Sequence, residues 1–290
     1  MKTAAVTLAL GAFLAVSAEA QMGAYLDYYV VKVKPEKRAD FENVAKKIVE
    51  ANRKNGGDTW LTFDTMYGDN DTMAFVSTRK DVGAIDTAND MFMKALKDAY
   101  GDGAEAVLHD FNACISSGRG VIRKRRPDLS FNAPANDDDY AKLIGEARYI
   151  RTTTVRVKPG HPSDTEELFG MIKRANAKSD PSSMMLVSQA IAGDAAGTYY
   201  VSSLGPSIGS LDSNAPPLKE VLGEEDFAKY EKIVADSVIS SESMIAKIRP
   251  ELSNPPAPVV EVSRDFWAPQ AMPTTAARGK RKGQDKTASK

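Results

Sequence analysis

Two periods of hydrophobicity alternate along the chain, and the order in which they alternate occurs twice. Residues 25–34 have period two, with Val31 and Val33 on one face and Tyr28, Val30, Lys32 and Lys34 on the other, the pattern of a strand. Pro35 opens a run over 36–54 in which Phe41, Val44, Ala45, Ile48 and Val49 recur at helical spacing, and Asn55-Gly56-Gly57 ends it. Two segments, 59–67 and 72–78, flank Gly68-Asp69-Asn70-Asp71 and read as strands of a hairpin. Helices are expected over 82–99 and 104–117, broken at Gly101-Asp102-Gly103. The pattern closes on Arg126-Pro127-Asp128-Leu129-Ser130, extended because the residue before proline avoids the α region.

The same order then returns. Val31-Lys32-Val33-Lys34-Pro35 recurs as Val155-Arg156-Val157-Lys158-Pro159, an offset of 124 (158 − 34). A strand over 149–158 precedes a helix marked by Leu168, Phe169, Ile172 and Ala175, and strands over 184–191 and 198–203 surround Gly193-Asp194. Phe75-Val76-Ser77 matches Tyr200-Val201-Ser202 at offset 125. Pro216-Pro217 shortens the next helix, a long helix is expected over 224–248, and Arg249-Pro250-Glu251-Leu252-Ser253 echoes the first closing segment. Such self-similarity at a fixed spacing marks an internal duplication. The expected layout is repeat one over 21–131, a linker over 132–148 with a short helix at 140–147, repeat two over 149–253, and a tail over 254–290.

Each repeat reads β-α-β-β-α-β, the ferredoxin-like split βαβ order, which makes the fold class α+β. Right-handed crossovers put the helices on one face of a four-stranded antiparallel sheet, so the bare faces of two such sheets are expected to meet. On its repeat order over 25–131 and 149–253, the chain resembles the dimeric α/β-barrel superfamily in its tandem-fused form. That resemblance implies a pseudo-dimeric barrel and, as one functional alternative, a monooxygenase or haem-associated enzyme. Asn52, Trp60 and His109 are the residue types that surround haem in haem-degrading relatives, but no motif aligns them here and no role is transferred.

Composition adds the compartment. Residues 1–20 have Lys2, an apolar run over 4–16 and Ala18-Glu19-Ala20, the signature of a secretory signal cleaved before Gln21. About 20 apolar residues are needed to span a bilayer, and this run is shorter. The expected protein is exported, periplasmic or extracellular, with no membrane span. A net charge of −1 gives no argument for nucleic acid. The tail holds Arg264, Arg278, Lys280, Arg281, Lys282, Lys286 and Lys290 against Glu261, Asp265 and Asp285, and is expected to be disordered apart from the aromatic pair Phe266-Trp267, which can dock back on the body. A non-catalytic module that contacts an anionic envelope polymer through this tail is a third functional reading. Cys114, the only cysteine, sits in an apolar stripe and is expected to be a buried small residue.

Candidate chemistry lies on the sheet face turned away from the helices. Tyr28, Val30 and Lys32 share that face in the first repeat, and Thr152, Thr154 and Arg156 in the second. A cation at equivalent positions of an enclosed face calls for a carboxylate, water or an anionic ligand. The expected ligand is a small polar or anionic molecule between the sheets, touched by Lys32, Arg156, Tyr28, Thr154 and Trp60, with Asp64 and Gln189 on the same wall. The competing reading puts Lys32 and Arg156 near the barrel mouth, solvated or paired with Asp64, Glu42 or Glu166. His161 and His109 are scattered and give no metal-ligand spacing. Asp137-Asp138-Asp139 reads as linker solvation, and Gly118-Arg119-Gly120 lacks the strand-loop-helix context of a phosphate loop.

Overall fold

A computed structural model describes residues 23–212 and 215–268. In chain order the elements are β1 (Tyr25–Val33), α1 (Arg38–Lys54), β2 (Leu61–Tyr67), β3 (Thr72–Arg79), α2 (Ala84–Tyr100), α3 (Ala104–Ala113), β4 (Ile115–Arg125) and α4 (Asp137–Glu146). There follow β5 (Tyr149–Val157), α5 (Pro162–Ser179), β6 (Leu186–Ala192), β7 (Thr198–Gly205), α6 (Leu218–Leu222), α7 (Glu224–Ser237), β8 (Val238–Ile248), α8 (Ala257–Val262) and α9 (Arg264–Trp267). The eight strands close into one antiparallel barrel in the order β1-β3-β2-β8-β5-β7-β6-β4. The first four strands therefore lie 4-1-3-2 and the last four 8-5-7-6, with β2–β8 and β4–β6 as the two seams.

Alternation on the strands decides what faces where. Val31 and Val33 are buried beneath α1 with Phe41, Ala45 and Ile48, while Val157 packs with Phe169 and Tyr199 in the second half. Burying each such apolar side chain contributes about 1.5–3 kcal/mol. The other face of each strand lines the barrel lumen.

Both fourth strands begin inside an expected helix: β8 lies wholly within 224–248, and β4 overlaps 104–117 at residues 115–117. The helix expected over 104–117 stops at Ala113 and the one expected over 224–248 stops at Ser237, each followed by an eleven-residue strand. No glycine or proline marks either switch, so periodicity carried the helix too far. The stop is made by side chains instead. Cys114 Sγ donates to the Asp110 carbonyl and Ser237 Oγ to the Ile233 carbonyl, while the amides of Lys34 and Lys158 bond the carbonyls of Cys114 and Ser237. Lys34 Nζ caps the Ala113 carbonyl at 2.8 Å and Lys158 Nζ caps Asp236 at 2.9 Å, each cation set at a helix C-terminus. The repeated Val-x-Val-Lys-Pro thus carries a lysine that ends the penultimate element of its own half.

The two segments expected to close the repeats are turns that clasp the opposite half. In the first, the Arg126 guanidinium reaches Gln189 at 2.8 Å and Glu166 at 3.3 Å, and Ser130 Oγ accepts the Val187 N–H at 2.9 Å. In the second, Arg249 binds Asp64 at 2.7 Å and Glu42 at 3.1 Å, and Ser253 Oγ accepts the Thr62 N–H at 2.8 Å. Leu129 and Leu252 are buried behind them.

Three further expectations are corrected. Asp137, Asp138 and Asp139 are the first turn of α4, capped by Asn136 accepting the Asp139 N–H at 2.9 Å, which favours acidic residues there. Residues 254–268, expected as the start of a disordered tail, pack as α8 and α9 over one end of the barrel, with Trp267 2% exposed and its Nε1 donating to the Gly145 carbonyl. The register also shifts one equivalence: Val30 faces Ala74 and Thr154 faces Tyr200, so Ala74 and Tyr200 are equivalent at offset 126 (200 − 74), one beyond the offset of the Phe-Val-Ser resemblance. One residue of slip exchanges the two faces of a strand, so this decides that Tyr200 points into the lumen. The signal segment 1–20 and the basic tail beyond Ala268 lie outside the described residues.

Ser253→Ala leaves the buried Thr62 N–H without its acceptor, and Ser130→Ala does the same to Val187. Each is expected to lower stability by about 1–3 kcal/mol in urea unfolding, and the double variant by close to the sum, since the two turns share no partner.

Candidate functional site: the polar chamber of the barrel

One end of the lumen is a polar chamber of 380 Å³. Tyr28, Lys32, Thr154 and Arg156 all line it, brought together from β1 and β5 as expected. Trp60 does not. It is buried, its Nε1 donates to the Leu252 carbonyl at 2.9 Å, and it borders the opposite, apolar end of the lumen. Asp64 and Gln189 are likewise committed to the clasps, paired with Arg249 and Arg126. Alternation explains the miss: Leu61, Phe63 and Thr65 take the lumen face of β2, which leaves Asp64 on the helix side.

Lys32 and Arg156 stand at the mouth, with side chains 45% and 38% exposed. Lys32 Nζ bonds Asp69 at 2.6 Å, and Arg156 lies 3.7 Å from Glu242. The mouth position matches the competing sequence reading, but the partners are Asp69 and Glu242 in place of Asp64, Glu42 or Glu166.

The chamber's interior cation is Arg123, on the strand that periodicity missed. It is 7% exposed, and its guanidinium lies between the rings of Tyr28 and Tyr200, 3.6 and 3.3 Å from their centroids. Nε has no hydrogen-bond partner, and no carboxylate among the described residues lies within ion-pair distance of Arg123. With both faces covered by rings, only the edge N–H groups remain to bond. That edge is a planar fork matched to a carboxylate or phosphate. Of the charges lining the chamber, Lys32 pairs with Asp69, Arg119 with Asp194 at 3.1 Å and Arg156 with Glu242, so the cation left over is Arg123.

Tyr200 and Asp194 complete the wall. Burial first, then its bond to Asp194, push the Tyr200 hydroxyl up to about 12 against the opposing pull of Arg123, so at neutral pH it stays a phenol that donates to Asp194. Burial also works against the Asp194 charge, but Tyr200, the Ala195 N–H and Arg119 outweigh it and hold the carboxyl below its usual range. Gly193, at φ +80°, permits the turn that presents Asp194, and a Cβ there would stand 1.9 Å from the Gly120 carbonyl across the β4–β6 seam. Gly118-Arg119-Gly120 is strand, with Gly118 under the Tyr29 ring and the Gly120 carbonyl taking the close approach of Gly193.

The Asn, Trp and His types associated with haem do not assemble. Asn52 is buried, bonding the Ile48 carbonyl and the Asp58 N–H, while His109 is exposed on α3 beside Asp110. His161 pairs with Asp164 at the start of α5, and neither histidine lines a cavity described here. These residues do not fit a histidine-ligated haem. Among the described residues no helix is long and apolar enough to cross a membrane.

No family model matches the chain and no curated protein matches it. Among solved structures it is similar to an anthrone oxidase-like protein at 13% identity, covering 78% of this chain and 91% of that one, with a TM-score of 0.47. It is also similar to chlorite dismutase of Candidatus Nitrospira defluvii at 9% identity, covering 79% and 92%, TM-score 0.42. A DyP-type peroxidase from Mycobacterium smegmatis matches at 10% identity over 83% and 97%, TM-score 0.43. These likenesses are of fold alone, and no activity is transferred from them.

Because the Asp194 carboxyl is depressed in the folded state, its contribution is complete above the unfolded range of about pH 4 and is lost as pH falls through the folded value. Urea midpoints at pH 7 and pH 3 are expected to differ less in Asp194→Asn than in the wild type. Glu42, Asp128, Asp69 and Glu50, also depressed, contribute to the loss that remains.

Proposed function

We propose that this is an exported protein of two fused ferredoxin-like halves, whose shared barrel binds a small anionic molecule in the polar chamber. The observation that carries the reading is Arg123, a buried cation with its faces stacked and its edge unpaired beside a 380 Å³ space. Burying a charge without a partner costs several kcal/mol, and cation–π stacking contributes about 1–2 kcal/mol per ring, so an anion at the guanidinium edge supplies what the protein omits. Thr154 and the Thr152–Ser202 hydroxyl pair offer further hydrogen bonds, and Lys32 and Arg156 at the rim favour the entry of anions. Export is supported by the charged, apolar and small-residue order of residues 1–20.

Benzoate is a suitable probe, titrated calorimetrically into the mature chain. Arg123→Met is expected to weaken binding tenfold or more, since a bond to a buried charge is lost, while Lys32→Ala with Arg156→Ala changes it less than about threefold. Equal affinity in wild type and Arg123→Met, or no binding of benzoate or inorganic phosphate to the wild type, overturns the proposal. For export, fractionation of the producing cell is expected to give a mature chain beginning at Gln21; a cytoplasmic chain retaining Met1 or Lys2 refutes it.

A further inference from the structure

The lumen does not end at Arg123. Beyond it lies a second chamber of 110 Å³, lined chiefly by apolar residues, among them Leu26, Leu61, Val76 and Leu204. Tyr28, Phe63 and Ile150 border both chambers, so they form a waist between them. The far end is covered by α4, through Leu143 and Ile144, and by α8, through Val259. Arg125 stands at this end with its guanidinium 4.3 Å over the Tyr140 ring, which sets a limit to the apolar run.

The two chambers differ in what they can hold. The polar one has Arg123 beside open space, while the other is lined mostly by carbon and holds Arg125, a second guanidinium whose buried Nη1 lacks a hydrogen-bond partner, only at its far end. An apolar cavity of about 150 Å³ takes up benzene, so 110 Å³ is room for a short chain. Solid packing is the norm in protein interiors, and a void of this size costs stability for as long as it stays empty. Resting on the reading of Arg123 as the anion site, we infer that the ligand is an elongated amphipathic acid. Its carboxylate lies against Arg123, its chain passes the waist of Tyr28, Phe63 and Ile150, and its apolar end fills the second chamber. Tyr28 serves twice, with its ring stacked on Arg123 and bordering the waist. From Tyr28 to Leu26 the strand advances about 6.6 Å, which accommodates about five methylenes beyond the waist.

A series of straight-chain monocarboxylates from acetate to decanoate, titrated into the mature protein, tests this. Affinity is expected to rise about fourfold per methylene, the equivalent of about 0.8 kcal/mol, and to level off once the second chamber is full. Straight-chain alcohols of the same lengths are expected to bind at least tenfold more weakly. Leu204→Trp, which fills the apolar chamber, is expected to abolish the chain-length dependence while leaving acetate and benzoate unchanged. An affinity independent of chain length in the wild type, with loss still seen in Arg123→Met, overturns the amphipathic assignment and leaves the anion site standing. Alcohols that bind as well as acids also overturn it. No binding of any acid, benzoate included, removes both. The wild-type series decides the matter on its own should Leu204→Trp fail to fold.

Discussion

Everything in the barrel depends on the reciprocal clasp between its halves. A four-stranded sheet with helices on one side leaves its other face bare, and here each bare face is covered by the other half. The seams are held by strand pairing and by the Arg-Pro-acid-Leu-Ser turn that each half sends across. Each turn uses its serine as acceptor for a strand N–H of the opposite half, and its arginine for that half's polar and acidic side chains. Around Arg249 the cluster is dense: Glu42 and Asp64 are shared with Arg38, and Glu251 binds the same guanidinium at 2.7 Å. Part-buried charges repay their desolvation only in such fully partnered arrangements, which gives the clasp specificity of register as well as attraction. The clasp recruits Trp60, Asp64 and Gln189, and so keeps them out of the polar chamber.

Against that near-symmetric frame the chamber is one-sided. Strand registers make Arg123 equivalent to Ala246, Arg119 to Glu242, Tyr28 to Thr152 and Tyr200 to Ala74. The stack of two rings on a guanidinium has no counterpart, because the positions that would build it are small or neutral in the other half. A true homodimer has no such freedom: any unpaired arginine in its lumen occurs twice, with the like-charge repulsion that entails. In a single chain the two halves differ in sequence, so the stacked Arg123 has a neutral residue, Ala246, at the equivalent position of the other half. The site spans the β4–β6 seam, with Arg123 and Arg119 from one half and Tyr200 and Asp194 from the other.

Much of this was legible in the sequence. Alternation over residues 25–34 put Tyr28 and Lys32 on the lumen face, and the repeat carried that assignment to Thr154 and Arg156, all four of which line the chamber. What escaped was each fourth strand. Val107, Phe111, Cys114 and Ile115 fall at helical spacing across a junction where the helix has already ended, and Phe227 to Ile245 does the same. The signal that ends both helices is a lysine 79 positions away in one half and 78 in the other, bonding the last carbonyls from the neighbouring strand. No local pattern holds that information. Losing β4 meant losing Arg123, and the recurring cation that was visible, at Lys32 and Arg156, proved to be the paired rim. The off-by-one match of Phe-Val-Ser with Tyr-Val-Ser had the same effect on Tyr200, since an extra residue in the hairpin loop changes which side chain faces inward.

Arg123 is also the point at which a purely structural role is hardest to sustain. Two stacked rings stabilise a guanidinium by about 1–2 kcal/mol each, against an effective desolvation cost of several kcal/mol per buried ion. A residue kept only for packing would do better as a methionine or leucine, which fills similar volume without the charge. Its equivalent in the other half, Ala246, is fully buried and apolar and shows that the fold accepts such a choice. A nearby carboxylate would settle the balance, yet Asp194 is held by Tyr200 and Arg119 and is turned to its own seam. The remaining way to offset the charge is from the lumen side, by water or by an anion. Water at the guanidinium edge is at home in the polar chamber, while the stretch just past the waist, with Leu61, Val76 and Leu204, is lined by carbon. The boundary between wet and dry therefore falls at the Tyr28–Arg123–Tyr200 stack, and it is there that a molecule with one charged end and one apolar end finds both of its surroundings at once.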